Sequence, residues 1–365
     1  MKRIAVVTAT RAEYGLLRRT VEALRAEACF DTRLIVTGTH LSPAFGETWK
    51  QIEEDGVRID AKIDYLSEDR SPEGIARETG RCAQLFADEL GALQPDLLMV
   101  LGDRYELLPI CSSALVLGIP VAHIAGGERT EGAIDGAVRN AVTMLSTIHF
   151  ANSPEAAEAI VRMRGSDQNV FEVGEPGAEN ILKATLPSRE ELAGRFGLDP
   201  ANPWVLGTLH PDTRESEEYN LDMARAMLEA LSGLQGHEVV LTKANADPCG
   251  EKMNALYTAA KQFHMFPSLG NDGYLGLMKE AAFVIGNSSS GVIEAPLFGT
   301  PVVNIGHRQT GRRISPCVFN CEATLPDIRQ AIGRIHGRFK PDILPGTGHM
   351  SELIVKHLKE YFHEL

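Results

Sequence analysis

Residues 96–128 read DLLMVLGDRYELLPICSSALVLGIPVAHIAGGE, and the architecture follows from how this stretch divides. Asp96–Gly102 holds the unbroken apolar run LLMVLG, Glu106–Leu117 has helical periodicity, and Pro120–Ile124 is mainly apolar again. A strand without polar alternation is covered on both faces, as in a parallel sheet; a sheet with one wet face alternates. Two such strands joined through a helix form a parallel crossover. The pattern recurs on both sides. Strands are expected at Arg3–Thr10, Thr32–Thr39, Ile148–Asn152 and Val170–Val173, then at Trp204–Leu209, Glu238–Lys243, Ala282–Gly286 and Pro301–Ile305. Helical stretches at Leu16–Glu27 and Leu221–Leu231 fall between them. The fold class is α/β with doubly wound parallel sheets.

A chain of 365 residues exceeds the usual reach of one hydrophobic core, which predicts two domains. The segment GEPGAENILKATLPSREELAGRFGLDPANP is rich in Gly, Pro and charge, and the strand-helix pattern restarts after it at WVLGTLHP. The boundary therefore lies near Gly174–Thr185, giving domains 1–176 and 177–348 that face a central cleft. Ligands of open α/β sheets sit outside the carboxyl ends of the strands. The informative residues should then be those just after each apolar run.

Composition removes several function classes. A formal net charge of -13 argues against a nucleic-acid or acidic-membrane partner. No stretch reaches the roughly 20 apolar residues of a membrane span. Arg11 and Glu13 interrupt the first apolar run before a signal peptide could form, so the expected location is cytoplasmic. Six scattered cysteines, without a C-x-x-C, predict neither a disulfide framework nor a metal site. G-x-G-x-x-G after a strand, the P-loop pattern and H-E-x-x-H are all missing, so no nicotinamide, P-loop nucleotide or zinc is expected.

The strand ends carry the chemistry. TATRAEYG sets Arg11 at a strand-to-helix junction, as a plain turn or as part of an anion site of guanidinium and free helix N–H groups. LGDRYE offers Asp103, as a helix N-cap or a functional acid, and Arg104, for a neighbouring carboxylate or a phosphate. HIAGGERTEGAIDGAVRN gathers Glu128, Glu131, Asp135 and Arg139 after a buried strand. Asp135 and Arg139, four apart, can share one helix face as an ion pair. TLHPDT puts His210 at a strand end, either structural or proton-exchanging. TKANADP supplies Asn245 and Asp247, which are turn formers by default. IGNSSSGVIEAPLFGTPVVNIGHRQTGR joins Ser288, Ser289 and Ser290 to Glu294 and Arg308. Hydroxyls and backbone N–H groups there suit a diphosphate and Glu294 a ribose; the plainer reading is a hydroxyl-capped helix start.

Taken in order, TATRAEYG, TGTHLSPAFG, GDRYE, HIAGGERTEGAID, the HP pair, the NAD turn and GNSSSGVIEAP resemble the UDP-N-acetylglucosamine 2-epimerase family, closest to its hydrolysing branch. The resemblance spans nearly the whole chain. It implies a GT-B-like fold of two Rossmann-like domains, with the C-terminal helix, His349–Leu365, packing back on the first. It implies a UDP-sugar substrate, no cofactor, and a homodimer or homotetramer. UDP would be held by His210, Ser288, Ser289, Glu294 and Arg308, with Asn245 nearby. Arg11 and Arg104 would approach the nucleotide-sugar from the first domain, where Asp103, Glu128 and Asp135 face the sugar. The implied reaction eliminates UDP across C1–C2 to a glycal and adds water, as in the synthesis of sialic or legionaminic acid precursors. It needs a base at C2, an acid on the other face, and cations at the leaving diphosphate, from Arg11, Arg308 and His210.

The chain departs from that family at Ala125, Asn140 and Met144, where many relatives carry Glu or His, His, and Lys. Glu128 is taken as the substitute acid. All three departures lie on the sugar side, which opens the alternative of a diacetylated bacillosamine nucleotide. Also open are the reversible epimerase, a GT-B glycosyltransferase and a non-catalytic nucleotide-sugar sensor.

Overall fold

The computed structural model describes residues 1–43, 46–69, 71–128, 134–212, 214–244, 249–267, 269–310, 313–343 and 346–363. The chain divides into two compact units, Met1–Asn180 with Leu344–Leu365, and Ile181–Ile343. Among the described residues no helix is long and apolar enough to cross a membrane.

The first unit is built on seven strands: β1 (Lys2–Thr8), β2 (Phe30–Thr37), β3 (Ala61–Ile63), β4 (Leu97–Leu101), β5 (Val121–Ile124), β6 (Ile148–Ala151) and β7 (Val170–Glu172). They lie in the order β3-β2-β1-β4-β5-β6-β7, every pair parallel. All residues of β4, β5 and β6 are buried, because helices cover both faces of the sheet. One core layer holds Leu17, Leu34, Met99 and Phe150; the other holds Ile35, Phe86, Val100 and Ile110. The switch of direction between β1 and β4 is the doubly wound hallmark, and it puts the ends of both strands at the ligand edge.

Helix Met350–His363 belongs to this unit. His357 stacks on Phe171 with centroids 4.0 Å apart, and Phe362 meets Phe30 at 6.1 Å. Ser351 donates its N–H and hydroxyl to the Glu179 carboxylate at 2.9 and 2.6 Å.

The second unit repeats the plan with β8 (Trp204–Thr208), β9 (Glu238–Thr242), β10 (His264–Phe266), β11 (Phe283–Gly286), β12 (Val302–Ile305) and β13 (Val318–Cys321). Their order is β10-β9-β8-β11-β12-β13, again all parallel. Gly286 has φ of 137°, and a Cβ there would lie 1.9 Å from the Thr208 carbonyl oxygen. Only glycine lets the ends of β8 and β11 approach this closely.

All ten expected strands are present, with ends displaced by at most two residues. Thr10 belongs to no strand: it caps helix Arg11–Ala26, which begins five residues before the expected Leu16. The sequence reading misses β3, β10 and β13. These are edge strands of three or four residues, partly exposed, so neither an apolar run nor an alternation is long enough to read.

Candidate functional site

In the first unit the ends of β1, β4, β5 and β6 bring charged and polar side chains together. Thr10 and Glu13 form a capping box at the start of helix Arg11–Ala26. The Glu13 carboxylate accepts the N–H groups of Ala9 and Thr10 at 2.7 and 3.0 Å. Burial pushes its pKa up to about 7, against those hydrogen bonds and the nearby Arg104, with the Glu106 charge adding to the rise. Arg11 is the first residue of the helix and is exposed. Arg104 donates from Nε to the fully buried Glu106 at 2.6 Å. Its carboxylate neighbour, one of the two partners the sequence left open, therefore holds it.

Asp103 does not cap a helix: helix Leu107–Val116 starts after Glu106, and no side chain caps it. Instead Asp103 accepts a hydrogen bond from Arg139 Nη2. Arg139 lies in helix Asp135–Leu145, is 7% exposed, and also approaches Glu128 at 3.1 Å. The expected Asp135–Arg139 helix pair is thus corrected. Among the described residues the carboxylate partners of Arg139 are Asp103 and Glu128, which the sheet brings within reach from two other strand ends. Asp135 stays in the first turn of its helix and is half-exposed. There its negative charge opposes the positive end of the helix dipole.

Two further residues join this group. Asn152, at the end of β6, donates from Nδ2 to Glu128 Oε1 and, at 2.9 Å, to Glu175 Oε2. His123 in β5 donates from Nε2 to the Gly102 carbonyl at 2.7 Å, leaving Nδ1 to accept from Thr143 at 3.2 Å. Complete burial lowers its pKa to about 4, so it is a neutral brace for the residue preceding Asp103. Gly127 has φ of 80°, and a Cβ there would meet the Ala156 carbonyl at 2.2 Å. This close approach holds the backbone just before Glu128.

In the second unit the organising residue is Asn287, which follows β11. Its Oδ1 accepts the His210 N–H at 2.8 Å, and its Nδ2 donates to the His210 carbonyl at 2.7 Å. The Asn287 carbonyl accepts from Gln309 Nε2 at 2.8 Å and Arg308 Nη1 at 3.2 Å. One buried side chain and its own peptide group therefore tie the ends of β8, β11 and β12 together. Ser288 stands at the N-cap of helix Ser289–Ile293, but its hydroxyl makes no capping bond. That corrects the hydroxyl-cap reading. The Tyr274 hydroxyl, beside this turn, donates to Thr208 Oγ1 at 3.3 Å, and its pKa is raised by burial against that bond. Ser289 is the first residue of the helix and is half-buried. Glu294 ends it; burial raises its carboxyl above the usual range while a Ser290 hydrogen bond opposes the rise.

Of the expected residues, Asp103, Glu128 and Arg139 come together in the first unit. His210 and Arg308 come together through Asn287 in the second, with Ser288 directly after it. Asn245, Asp247 and Glu131 lie outside the described residues. Sequence reasoning missed Glu13, Glu106, Asn152, Glu175, Tyr274 and the bridging role of Asn287. Asn152 was within reach, because it ends an expected strand; Tyr274 sits inside a helix and gave no such signal. Among the described residues no cluster of three or more His, Cys, Asp or Glu stands where it could hold a metal ion.

A family profile described as UDP-N-acetylglucosamine 2-epimerase matches residues 22–359. The GDP/UDP-N,N'-diacetylbacillosamine 2-epimerase (hydrolyzing) of Campylobacter jejuni is 32% identical over 342 residues, 92% of this chain and 88% of that protein. The polysialic acid biosynthesis protein P7 of Escherichia coli is 33% identical over 316 residues, 86% of this chain and 80% of its own length. The crystal structure of UDP-GlcNAc 2-epimerase from Neisseria meningitidis bound to UDP-GlcNAc superposes with a TM-score of 0.78 at 18% identity, covering 99% of this chain and 100% of that one.

Proposed function

The chain belongs to the UDP-N-acetylglucosamine 2-epimerase family, and we propose that it is a hydrolysing member, converting UDP-N-acetylglucosamine or a close N-acylated analogue to UDP and the free 2-epimeric sugar. The observation that carries this reading is the meeting of Asp103 and Glu128 on buried Arg139. Inverting C2 through a glycal needs one group to take a proton and another to return one from the opposite face. Two carboxyl groups held on one guanidinium supply the pair of groups that this exchange requires.

In this mechanism a first-unit carboxylate removes the C2 proton as the C1–O bond to the diphosphate breaks. The electron pair of the C–H bond becomes the C1–C2 double bond of the glycal, and UDP leaves. Water then adds at C1 as a second, protonated carboxyl gives its proton to C2 and regains one from that water, while the proton held by the first carboxyl leaves to solvent. Asp103, Glu128 and Asp135 serve the sugar. His210, Ser288, Ser289, Glu294 and Arg308 serve the nucleotide, with Asn245; Arg11 and Arg104 add positive charge from the first unit. The nucleotide reading is supported by serine hydroxyls and backbone at a strand end, with a guanidinium bonded to the same Asn287 peptide. We place residues 1–176, with the C-terminal helix from 349, on the sugar side and 177–348 on the nucleotide side, in a homodimer or homotetramer.

A diacetylated bacillosamine nucleotide is the second reading. The name of the C. jejuni relative favours it, and so does the small, buried Ala125 beside this group. Incubation in heavy water with a panel of UDP- and GDP-sugars, followed by NMR, tests both readings. Free UDP and a 2-epimeric free sugar with deuterium at C2 are expected, and the preferred sugar decides between the substrates. Intact UDP-N-acetylmannosamine would assign the reversible reaction instead. Product without deuterium at C2 would overturn epimerisation in favour of glycosyl transfer.

A further inference from the structure

We infer that Asn152 is a positioning residue for Glu128, with Glu175 as the group that orients it. The inference rests on the reading of Glu128 as part of the sugar-side machinery. The Glu128 carboxylate makes two different contacts: Arg139 Nη1 lies 3.1 Å from Oε2 as an ion pair without hydrogen-bond geometry, and Asn152 Nδ2 donates a directed hydrogen bond to Oε1. The undirected ion pair draws the carboxylate toward Arg139, and the directed bond from Asn152 is what restricts its swing.

Burial separates the roles. The Glu128 side chain is 40% exposed, whereas Asn152 and Arg139 are 4% and 7% exposed. The solvent-accessible end of the group is therefore the acid, and the buried parts hold it. The Asn152 amide works in one sense only. Its nitrogen donates to two carboxylates, Glu128 and Glu175, while its Oδ1 is buried and has no hydrogen-bond partner among the described residues. Turned over, the amide would set that oxygen against both acids, so the pair of acids fixes the donor direction. Two negative groups are thereby bridged without adding charge, and Arg139 remains the cation of Glu128.

Steady-state kinetics of Asn152→Asp test the inference. The change keeps side-chain size, removes the donor and sets a third carboxyl against Glu128 and Glu175. It should lower kcat at least about 10-fold, as expected for a lost hydrogen bond to a charged group. KM should change far less, and UDP binding by calorimetry should stay at the wild-type level. In a Glu128→Gln background the same change should have no further effect on kcat, because Asn152 acts through that acid. Glu175→Gln, which keeps an acceptor for the amide, should retain more activity than Glu175→Ala. Wild-type kcat in Asn152→Asp, or a full additional loss on top of Glu128→Gln, would overturn the assignment.

A second measurement does not need turnover. Urea midpoints for Asn152→Ala, Glu128→Ala and the double variant should be non-additive, and additive midpoints would overturn the inferred grip. A wild-type protein inactive on every sugar of the panel, with midpoints still coupled, would instead remove the functional reading and leave the positioning contact standing.

Discussion

Asn287 closes a two-bond ring with the main chain of His210, accepting its N–H at 2.8 Å and donating to its carbonyl at 2.7 Å across 77 residues of sequence. An amide is the one uncharged side chain that both accepts and donates at this geometry. Asn287→Ala should leave two buried main-chain groups unpaired and cost about 2–4 kcal/mol in urea unfolding. Asn287→Asp, which keeps the acceptor, should be milder, and both should weaken UDP binding. A variant as stable as wild type would show that the ring carries no load.

Asp103→Asn should reduce turnover at least ~100-fold, the usual loss when a positioned acid or base is removed. Because most of the residues proposed to hold UDP lie in the other unit, UDP binding by calorimetry should hold. Full activity would exclude Asp103 from proton transfer.

Ser289→Ala and Arg308→Ala should each weaken UDP binding by about 10-fold or more, the worth of a hydrogen bond to a charged group. Arg308→Ala should have the larger effect and the steeper salt dependence, since it removes a charge. Titration calorimetry at two ionic strengths reads both.

Glu13 gives a pH-dependent prediction with a defined sign. Its folded pKa is raised to about 7 from 4.5, so the folded chain binds more protons than the unfolded chain between those values. Its contribution is therefore full below about pH 4.5 and is lost as pH rises to about 7. Glu13→Gln keeps an acceptor for Ala9 and Thr10 and cannot ionise. Relative to wild type it should gain stability across that window, by up to about 3 kcal/mol. Urea unfolding at pH 4.5 and 8 measures the difference, and a pH-independent difference would refute it.

His149 makes the opposite prediction. Burial lowers its pKa to about 3, with the Arg164 charge adding and the Ser146 main chain opposing. The unfolded chain takes up a proton near pH 6.5 that the folded chain refuses. Stability from this group is therefore full above that pH and falls as pH drops toward 3. His149→Leu should raise the melting temperature more at pH 5 than at pH 8. Equal shifts at both values would contradict the neutral buried state.

Much of this molecule was readable before its coordinates. The interior strands are long apolar runs, and LLMVL and VAHI are buried throughout, so composition and burial coincide. The edge strands AKI, HMF and VFNC pair on one side and are half-wet, and they left no such trace. The strand-end rule found Asp103, Glu128, His210 and Arg308. Helix spacing offered Asp135, four residues away, as one partner for Arg139, where the structure gives Asp103 and Glu128, and the rule passed over Glu175, which follows one of the shortest strands.

By itself the sequence determined the order of strands and helices, the parallel sheets and the strand ends where charged residues gather. Each of these depends on local periodicity and on residues near one another in the chain. The tertiary structure alone decided the partners. Arg139 finds Asp103 across 36 residues and Asn152 finds Glu128 across 24. Parallel strands stand about 4.8 Å apart whatever length of chain connects them. Neighbouring strand ends therefore bring their charges together, and that neighbourhood is set by sheet order rather than by spacing along the chain.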